Sequence, residues 1–320
     1  MHTISASYRT DIPAFYGAWF LERVRAGSVQ YHNPVGPQVV TLSLRPTDVH
    51  AIVFWSKNYA PFLRYLDDLD AHGLDCYFHY AITGYSADPA TRPLETRVPH
   101  PNHTLDSFAR LVDHYSQPLV VQWRYDPIIF TARTDATWHR QTFQYLAQRL
   151  AGWTRRCYIS FLDSYGKVRR NVATLPAELQ PYDPPASEKC ALANDLAALA
   201  APYDITLYTC AEDFAVTDHI HRGACVDADL IQTLWPQKRP SRAHCANRGK
   251  CGCVAHRDIG AYDTCPHGCI YCYAVQNRDL ALTRYRHHDP HHTALAARTS
   301  TTPTAPSEPS DDAGTQLLLF

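Results

Sequence analysis

The chain has 320 residues, 45% of them hydrophobic and 12% aromatic, which is enough to bury the core of one large domain with appendages. Its formal net charge of -1 excludes a general attraction to nucleic acid, so any polyanion contact must come from a local patch. It has no apolar run of about 18 residues and no charged and apolar leader, so we expect a cytoplasmic protein with no membrane partner.

Short strand-like segments alternate with helical patterns along most of the chain. The strand-like segments are residues 3–8, 39–44, 51–55, 76–82, 119–123, 157–162 and 205–209. Helical patterns begin after Asp11, Asn58, Thr104, Thr134 and Ser187. Repeated strands and helices predict a parallel sheet. Because no G-x-G-x-x-G turn follows a strand, the pattern favours an α/β fold of the (β/α) TIM-like barrel type, complete or partial, over an open sheet.

Charged residues follow several of the predicted strands. In a (β/α) barrel these positions line the mouth where catalysis takes place. We therefore predict a polar binding site, and the alternative is a ring of structural ion pairs. The residues predicted to be catalytic are Lys57, Arg124, Asp126 and Asp163, with Arg9, Asp11 and Glu212 at equivalent positions.

A basic stretch lies between residues 238 and 250, directly before a group of cysteines. It contains no acidic residue, and its basic residues are Lys238, Arg239, Arg242, Arg248 and Lys250. The stretch is either a patch that contacts phosphates or a solvated loop, which is what charge runs usually are.

The most informative motif is the run Asp263-Thr-Cys-Pro-His-Gly-Cys-Ile-Tyr-Cys-Tyr273, which contains Cys265, Cys269 and Cys272. Its C-x3-C-x2-C spacing lets one short loop aim three thiolates at a common point, and the proline and glycine between the first two bend the backbone. Thiolates placed in this way suit an iron–sulfur cluster. A cluster of four irons with three protein ligands has one iron open to a small molecule, so the motif predicts a reactive [4Fe-4S] cluster.

With Tyr271 directly before the third cysteine, this run resembles the signature of the radical S-adenosylmethionine superfamily. The resemblance implies that the open iron chelates the amino and carboxylate groups of S-adenosylmethionine. It also implies that an electron from the cluster, supplied by an external electron donor, cleaves this cofactor to a 5′-deoxyadenosyl radical. Tyr271 is then a cofactor-binding residue. No clear Gly-Gly-Glu run is present to hold the amino group, so Glu212 is the predicted substitute.

More of the chain, roughly residues 2 to 275, resembles a bacterial family of unknown function whose C-terminal cysteines are similar to the radical-SAM cluster motif. This resemblance runs through residues 55–58, 123–127 and 258–260. In the superfamily the cysteine loop follows the first barrel strand, whereas here it is permuted to the C-terminus. The two orders agree if residues 254–259 supply the strand before the loop, because permutation leaves spatial neighbours unchanged.

The other cysteines leave alternatives open. The chain has eleven cysteines, which in a reducing compartment indicate metal or redox chemistry. Cys251 and Cys253 could join the last three in a structural zinc site, although the triplet lacks the paired C-x2-C knuckles typical of zinc. Cys210, Cys225, Cys251 and Cys253 are predicted to ligate a second, closed cluster, or else Cys210 and Cys225 are buried small hydrophobes. Cys245 is a spare nearby, and the cysteines predicted to lie in the core are Cys76, Cys157 and Cys190.

We expect three parts: a barrel over residues 1–243, an iron–sulfur segment over residues 244–286 that completes it, and a tail over residues 287–320 that is disordered by composition. The tail ends in Gln316-Leu-Leu-Leu-Phe320, which resembles the peptide by which bacterial DNA polymerases and repair proteins dock on the sliding clamp. The alternative is that this apolar end folds back onto the barrel. Docking on the clamp would make DNA the substrate, with a damaged base leaving the stack to reach the iron.

The resemblance therefore implies a radical-SAM-like enzyme, with repair or modification of DNA as the preferred reaction class. Two alternatives stay open: a non-catalytic iron–sulfur or zinc module that docks on the replication machinery, and a radical enzyme that acts on a small metabolite. No G-x-S-x-G elbow, P-loop or H-E-x-x-H pair competes with the iron–sulfur interpretation.

Overall fold

The computed structural model describes residues 1–33, 36–163, 166–212, 215–245 and 251–296. The strands are β1 (His2–Ala6), β2 (Ser28–His32), β3 (Val39–Ser43), β4 (Val49–Ser56), β5 (Cys76–Ala81), β6 (Val121–Ile128), β7 (Arg156–Phe161), β8 (Thr206–Thr209), β9 (Ile220–Arg222) and β10 (Arg257–Asp258). The α-helices are α1 (Ile12–Phe15), α2 (Gly17–Arg25), α3 (Leu66–Ala71), α4 (Pro101–Tyr115), α5 (Ala136–Leu150), α6 (Gly166–Val172), α7 (Ala186–Ala200), α8 (Ala228–Leu234) and α9 (Arg278–Arg286). Short 3-10 helices cover Leu63–Tyr65, Tyr85–Ala87, Arg92–Leu94, Ala177–Leu179 and Ala201–Tyr203. None of the helices in these ranges has the length and apolar character needed to cross a membrane.

Eight of the strands form one sheet in the order β10-β1-β4-β5-β6-β7-β8-β9. Neighbouring strands in this order run parallel throughout. Parallel neighbours need crossover connections, which helices such as α3, α4, α5 and α7 supply. The predicted α/β fold with a parallel sheet is confirmed.

Residues 39–44, which the alternation predicts as one more strand of the parallel sheet, instead form a separate antiparallel hairpin. In this hairpin β2 and β3 pair from Ser28 with Ser43 to His32 with Val39. Only residues 33–38 separate the two strands, and a connection of that length can join antiparallel strands but not parallel ones. Connection length therefore keeps β3 out of the main sheet.

The central strands are buried on both faces. In β4 and β5 nearly every residue is inaccessible to solvent, which is typical of a parallel sheet covered by other layers. Phe54 of β4 stacks on Phe78 of β5 with ring centroids 5.5 Å apart, and Phe20 of α2 meets Phe54 edge to face at 5.2 Å. These aromatic contacts hold α2 against the sheet.

The sheet is strongly curved. Tyr77 and His79 of β5 both donate to the carbonyl of Cys225, just after β9, at 2.7 and 2.8 Å. Three strands separate β5 from β9, and in a flat sheet this would be a span of roughly 19 Å. One side chain cannot cross that distance, so the sheet curls until β5 faces the end of β9.

The chain before β10 lies beside the end of β9. The Val254 amide donates to the Val226 carbonyl at 3.0 Å, and β10 then pairs with β1. Residues 251–258 therefore link the two edges of the curved sheet. The strand predicted at residues 254–259 is present as the two residues of β10, and the cysteine loop follows it directly.

The joint between β10 and β1 is built around the buried carboxylate of Asp258. Its donors are the hydroxyls of Ser5 and Ser7, the amides of Tyr8 and Gly260, and the guanidinium of Arg9. Gly260 must be glycine because a Cβ atom there would lie 2.0 Å from Ser7 Oγ. Arg9, predicted at the mouth of the barrel, is thus engaged in a structural ion pair.

Residues 287–296, which composition predicts as the start of a flexible tail, instead pack on α2. Trp19 Nε1 donates to the His292 carbonyl at 2.8 Å, and Arg23 Nη2 donates to the His291 carbonyl at 3.1 Å. Ala294 and Leu295 are buried. Composition misses this packing because the contacts depend on backbone carbonyls and on partners far away in the chain. Residues 297–320, with the predicted clamp-binding peptide, lie outside the described residues.

A buried histidine in α5 makes the stability of the fold depend on pH. His139 Nε2 donates to the Ile129 carbonyl at 3.1 Å, and Tyr125 donates to Nδ1 at 2.8 Å. Burial lowers the pKa of His139 to about 4. Because the unfolded chain binds the proton more readily, the stability that the neutral ring contributes is complete above the ordinary pKa of 6.5 and is lost as pH falls towards 4.

The wild-type protein loses free energy of unfolding between pH 7 and pH 4. We therefore expect His139→Gln to reduce this loss by up to about 3 kcal/mol. Denaturant unfolding at both pH values measures the effect. His139 is compared with His103→Gln, a change at an exposed position of α4. An acid-induced loss that is the same in wild type and both variants would contradict the assignment.

Candidate functional site

A cavity of about 330 Å³ lies at the carboxyl ends of the strands. The residues just past β1, β4 and β7 line it, together with residues within β6 and residues after β8 and β9. Polar residues that follow separate strands in the sequence thus meet at one end of the sheet. Most of the cysteines line the same cavity, namely Cys210, Cys225, Cys245, Cys251, Cys253, Cys265, Cys269 and Cys272.

The loop with the C-x3-C-x2-C motif is held by residues 94–97. The Arg97 amide donates to the His267 carbonyl at 3.0 Å. Gly268 has a φ of +73°, and a Cβ atom at this position would lie 2.4 Å from Thr96 Oγ1. Glycine is therefore required by the backbone conformation and by the close approach of Thr96.

The three thiols of this loop share one electrostatic environment. Burial raises the pKa of Cys265, Cys269 and Cys272, and neighbouring thiol groups raise the pKa of Cys265 and Cys269 further. Lys57 opposes this rise at Cys269. A bound metal reverses the balance, because a coordinated thiol stays deprotonated.

Lys57 and Tyr271, two of the predicted site residues, share a partner that the sequence did not indicate. Lys57 Nζ lies 2.8 Å from Glu95 Oε1, and the hydroxyls of Tyr271 and Thr83 donate to the same oxygen. Burial lowers the pKa of Lys57, but the buried Glu95 carboxylate outweighs it and raises that pKa above its usual value. Lys57 is therefore a cation in a buried ion pair beside the cysteine loop.

The hydroxyl of Tyr271 can be tested separately from its ring. We expect Tyr271→Phe to lower the free energy of unfolding by about 1.5–3 kcal/mol, because the buried Glu95 carboxylate loses one of its donors. Chemical denaturation gives the value. Tyr145→Phe, at a largely exposed tyrosine, is the matched control, and an equal effect of the two changes would contradict the role of the hydroxyl.

Asp11 joins the cysteine loop to the strand ends. Its Oδ2 atom accepts from His267 Nε2 at 2.7 Å and from the Lys57 amide at 2.9 Å, and its Oδ1 atom accepts from the Ala14 amide in α1. Because a carboxylate only accepts, His267 carries a proton on Nε2. Asp11 thus orients the histidine that lies between the first two cysteines of the motif.

Arg124 and Asp126, both predicted as catalytic, pair with each other in β6. Arg124 Nε donates to Asp126 Oδ2 at 3.0 Å, and Arg124 Nη1 donates to Cys225 Sγ at 2.9 Å. Ser160 donates to the other oxygen of Asp126. All four side chains line the cavity, so the ion pair connects the polar wall of the cavity to Cys225.

Cys210, Cys225, Cys251 and Cys253 come together, although three separate segments carry them. Cys210 Sγ and Cys225 Sγ are 3.8 Å apart, and the thiol of Cys253 hydrogen-bonds with those of Cys225 and Cys251. Hydrogen bonds from Cys210 and Cys253, together with the charge of Arg124, hold the pKa of Cys225 well below its usual range despite burial.

The two remaining predicted site residues are Asp163, which lies in the cavity lining, and Glu212, which lies outside it. Asp163 lines the cavity and is exposed. Glu212 lies outside the cavity lining, where it accepts a hydrogen bond from the Phe161 amide at 3.1 Å, and burial raises its pKa to about 7. A carboxylate held there by a backbone amide is poorly placed for the predicted contact with the amino group of S-adenosylmethionine. Cys210 lines the cavity at the end of β8 instead.

The basic stretch is partly neutralised where the structure describes it. Lys238 pairs with Asp75 at 2.9 Å, and Arg242 pairs with Asp229 at 2.6 Å. Pairing of this kind reduces the positive potential that would attract phosphates. The members of the stretch that lie outside the described residues are Arg248 and Lys250.

A family model described as a domain of unknown function (DUF1848) matches residues 3–274. The chain belongs to the DUF1848 family. The match extends over the sheet and the cysteine loop and ends before α9. The resemblance to a family of unknown function over most of the chain is thus confirmed, whereas the radical-SAM likeness of the cysteines stays a prediction. No curated protein matches this DUF1848 chain.

Within the described ranges, no three His, Cys, Asp or Glu side chains are grouped so that they could hold one metal ion.

Sequence reasoning missed two residues of the DUF1848 site, one in the cavity lining and one beside it. His79 interrupts the otherwise apolar strand β5, and a polar residue inside a buried strand is a signal that could have found it. Glu95 follows a short 3-10 helix and no strand. Its position in the sequence carries no such signal, because only the folded chain brings it to Lys57.

Proposed function

We propose that this DUF1848 chain binds a [4Fe-4S] cluster on Cys265, Cys269 and Cys272 and acts as a radical S-adenosylmethionine enzyme. The observation that carries the proposal is that the three thiols line one cavity, in a loop that directly follows β10 beside β1. When bound, such a cluster supplies the electron that cleaves S-adenosylmethionine to a 5′-deoxyadenosyl radical. The loop itself offers three thiolates, one fewer than the cluster has irons.

The arrangement of these thiols favours a cluster over a single zinc ion. Zinc sites are usually built from paired C-x2-C knuckles, and the C-x3-C-x2-C triplet of this loop lacks that arrangement. In a cubane cluster each thiolate binds a different iron, so the sulfur atoms lie farther apart than on one ion. The loop therefore suits the larger centre.

We also propose that the curved sheet is a (β/α) barrel in permuted order. Support comes from the contacts of β5 with the residue just after β9 and from residues 251–258, which link the two edges of the sheet. In this arrangement β10 and its loop take the position that the first strand and its loop have in the radical-SAM superfamily. The barrel places the cysteines at the catalytic end of the strands.

The chain's own residues would bind and orient the reactants in this cavity. Lys57 supplies a buried positive charge next to Cys269, where thiolate charge develops. The Arg124 and Asp126 pair offers both signs of charge to an amino acid group. Tyr8 and Trp55 line the same cavity, with ring centroids 6.1 Å apart, and give aromatic surface that suits a purine ring.

The volume of the cavity bears on the substrate class. A cavity of about 330 Å³ is in the range of small-molecule sites, and S-adenosylmethionine alone would largely fill it, so a small metabolite and DNA both stay candidate substrates. The DNA alternative depends on the predicted clamp peptide at residues 316–320, which lies outside the described residues. Deletion of residues 315–320 separates the two: loss of sliding-clamp binding and of a damage-tolerance phenotype would support DNA, and no effect would support the metabolite.

The experiment that tests the proposal uses the full chain purified without oxygen. Iron and acid-labile sulfide are measured, the protein is reduced, and electron paramagnetic resonance spectra are recorded with and without S-adenosylmethionine. We expect a cluster signal that changes when S-adenosylmethionine is added, together with formation of 5′-deoxyadenosine. An intact cluster whose spectrum does not change and that yields no 5′-deoxyadenosine would favour the non-catalytic module instead.

A further inference from the structure

We infer that Cys210, Cys225, Cys251 and Cys253 form a second metal–thiolate centre, in which Cys210 and Cys225 bind the same metal ion. This inference does not depend on the proposed radical chemistry, because none of these residues belongs to the C-x3-C-x2-C loop. The sequence predicts a second, closed cluster at these cysteines. The inference differs from a four-iron cluster because two of the cysteines bind the same metal ion.

Close backbone packing brings the segments with the four cysteines together. Gly223 and Gly252 lie next to cysteines of two of these segments, and neither has room for a side chain. A Cβ atom on Gly223 would lie 2.4 Å from the Thr209 carbonyl oxygen, and one on Gly252 would lie 2.7 Å from the Gly223 carbonyl oxygen. The two glycines therefore let the end of β8, the end of β9 and the segment before β10 meet within one thiol-lined wall.

Hydrogen-bond donors point at the sulfur atoms from several directions. Cys253 Sγ accepts from the amides of Cys225 and Val226 at 3.2 and 3.4 Å, and Cys225 Sγ accepts from Arg124 Nη1 at 2.9 Å. Such N–H donors stabilise the negative charge of metal-bound thiolates. A group of thiols that served only as small hydrophobes would not need a buried guanidinium aimed at one of its sulfur atoms.

The backbone at Cys225 is fixed before any metal binds. Its carbonyl oxygen accepts from Tyr77 and from His79, and Tyr158 donates to the carbonyl of the preceding residue, Ala224, at 3.0 Å. These buried donors come from β5 and β7, in the middle of the sheet. The position of the thiol is therefore set by the rigid part of the fold, as a preorganised ligand requires.

The spacing of the sulfur atoms indicates how they share metal. Two thiolates on one tetrahedral ion with bonds of about 2.3 Å lie about 3.8 Å apart, and Cys210 Sγ and Cys225 Sγ are 3.8 Å apart. Two cysteines of a cubane cluster bind different irons and lie farther apart. In a two-iron cluster with two thiolates on each iron, Cys210 and Cys225 would bind one iron and leave Cys251 and Cys253 for the other.

The test removes the three cysteines of the loop and then measures whether the second site retains metal. The full chain with Cys265, Cys269 and Cys272 all changed to alanine is purified without oxygen, incubated with ferrous iron and sulfide or with zinc, and desalted. We expect this triple variant to retain metal, and we expect a further Cys225→Ala change to abolish that retention. Cys190→Ala in the same triple background is the matched control, because Cys190 lies outside the cavity lining.

X-ray absorption on the triple variant gives a second reading that needs no further substitution. A short metal–metal distance with sulfur ligands would identify the two-iron centre. Zinc with sulfur ligands would identify a single ion that the cysteines share. Either result would support the binding of Cys210 and Cys225 to the same ion. A triple variant without metal, a four-iron cubane, or a Cys210–Cys225 disulfide found by mass spectrometry would overturn the inference. If the triple variant keeps its metal while wild type leaves S-adenosylmethionine uncleaved, only the proposed function fails.

Discussion

Changing Cys269 to alanine is expected to abolish the cleavage of S-adenosylmethionine by this protein. Cys269 is the middle thiol of the loop, and its neighbour Tyr271 is held by Glu95. With one of three thiolates removed, the loop no longer provides the set that the proposed cluster needs. We expect formation of 5′-deoxyadenosine to fall to the background of a reaction without protein, as measured by chromatography under anaerobic, reducing conditions.

Two controls separate loss of the cluster from loss of the fold. Cys190→Ala, at a cysteine outside the cavity lining, should leave the rate unchanged. Circular dichroism of Cys269→Ala should match that of wild type, because the substitution lies in a loop that residues 94–97 also hold. Cleavage at the wild-type rate by Cys269→Ala would rule out this loop as the site of the cluster.

Changing Asp258 to alanine is expected to give the largest loss of stability. The carboxylate is buried and accepts from two serine hydroxyls and two backbone amides, and it pairs with the buried guanidinium of Arg9 at 2.8 Å. Removing it leaves Arg9 as an uncompensated buried charge, which typically costs about 3–5 kcal/mol. Equilibrium unfolding in urea measures the difference between variant and wild type.

The same residue gives a signature at low pH. Burial alone would raise the pKa of Asp258, but the charge of Arg9 and the hydrogen bonds outweigh it and lower that pKa below the ordinary value of 3.8. The stability that the carboxylate contributes is therefore present above pH 3.8 and is lost as pH falls through the lowered pKa. Asp258→Ala should lack this part of the acid-induced loss.

The control for Asp258 is Asp106→Ala, at an exposed position of α4. We expect this change to stay within about 0.5 kcal/mol of wild type, as is usual for surface positions. A destabilisation by Asp258→Ala as small as that of Asp106→Ala would mean that the joint between β10 and β1 does not hold the sheet together.

Most of the strands of the main sheet could be predicted because they depend on local patterns, whereas β2 and β9 were not expected. Alternating apolar segments with helical segments between them predict parallel strands, and the strand before the cysteine loop was expected where β10 lies. The same local patterns failed at residues 39–44, where the length of the connection to β2 decides the pairing. They also failed at residues 287–296, where contacts with Trp19 and Arg23 decide the packing.

The common position of three cysteines was predictable from the sequence, but the ion pairs of the candidate site were not. The spacing of Cys265, Cys269 and Cys272 within one loop limits how far apart their thiols can be, so their common position follows from the chain itself. Glu95, in contrast, is 38 residues away from Lys57, and Cys225 is 101 residues away from Arg124. No periodicity or spacing in a single sequence relates residues at such separations.

The sequence by itself determined that this chain is a parallel α/β protein with three thiols on one loop, because alternation and short spacings act over a few residues. The tertiary structure decided that four further cysteines line the same cavity and that Arg124 donates to one of them. It also decided that Glu212 lies outside the cavity lining and binds the amide of Phe161. These outcomes depend on how the curved sheet brings distant strand ends together, because that geometry decides which charged and thiol side chains come into contact.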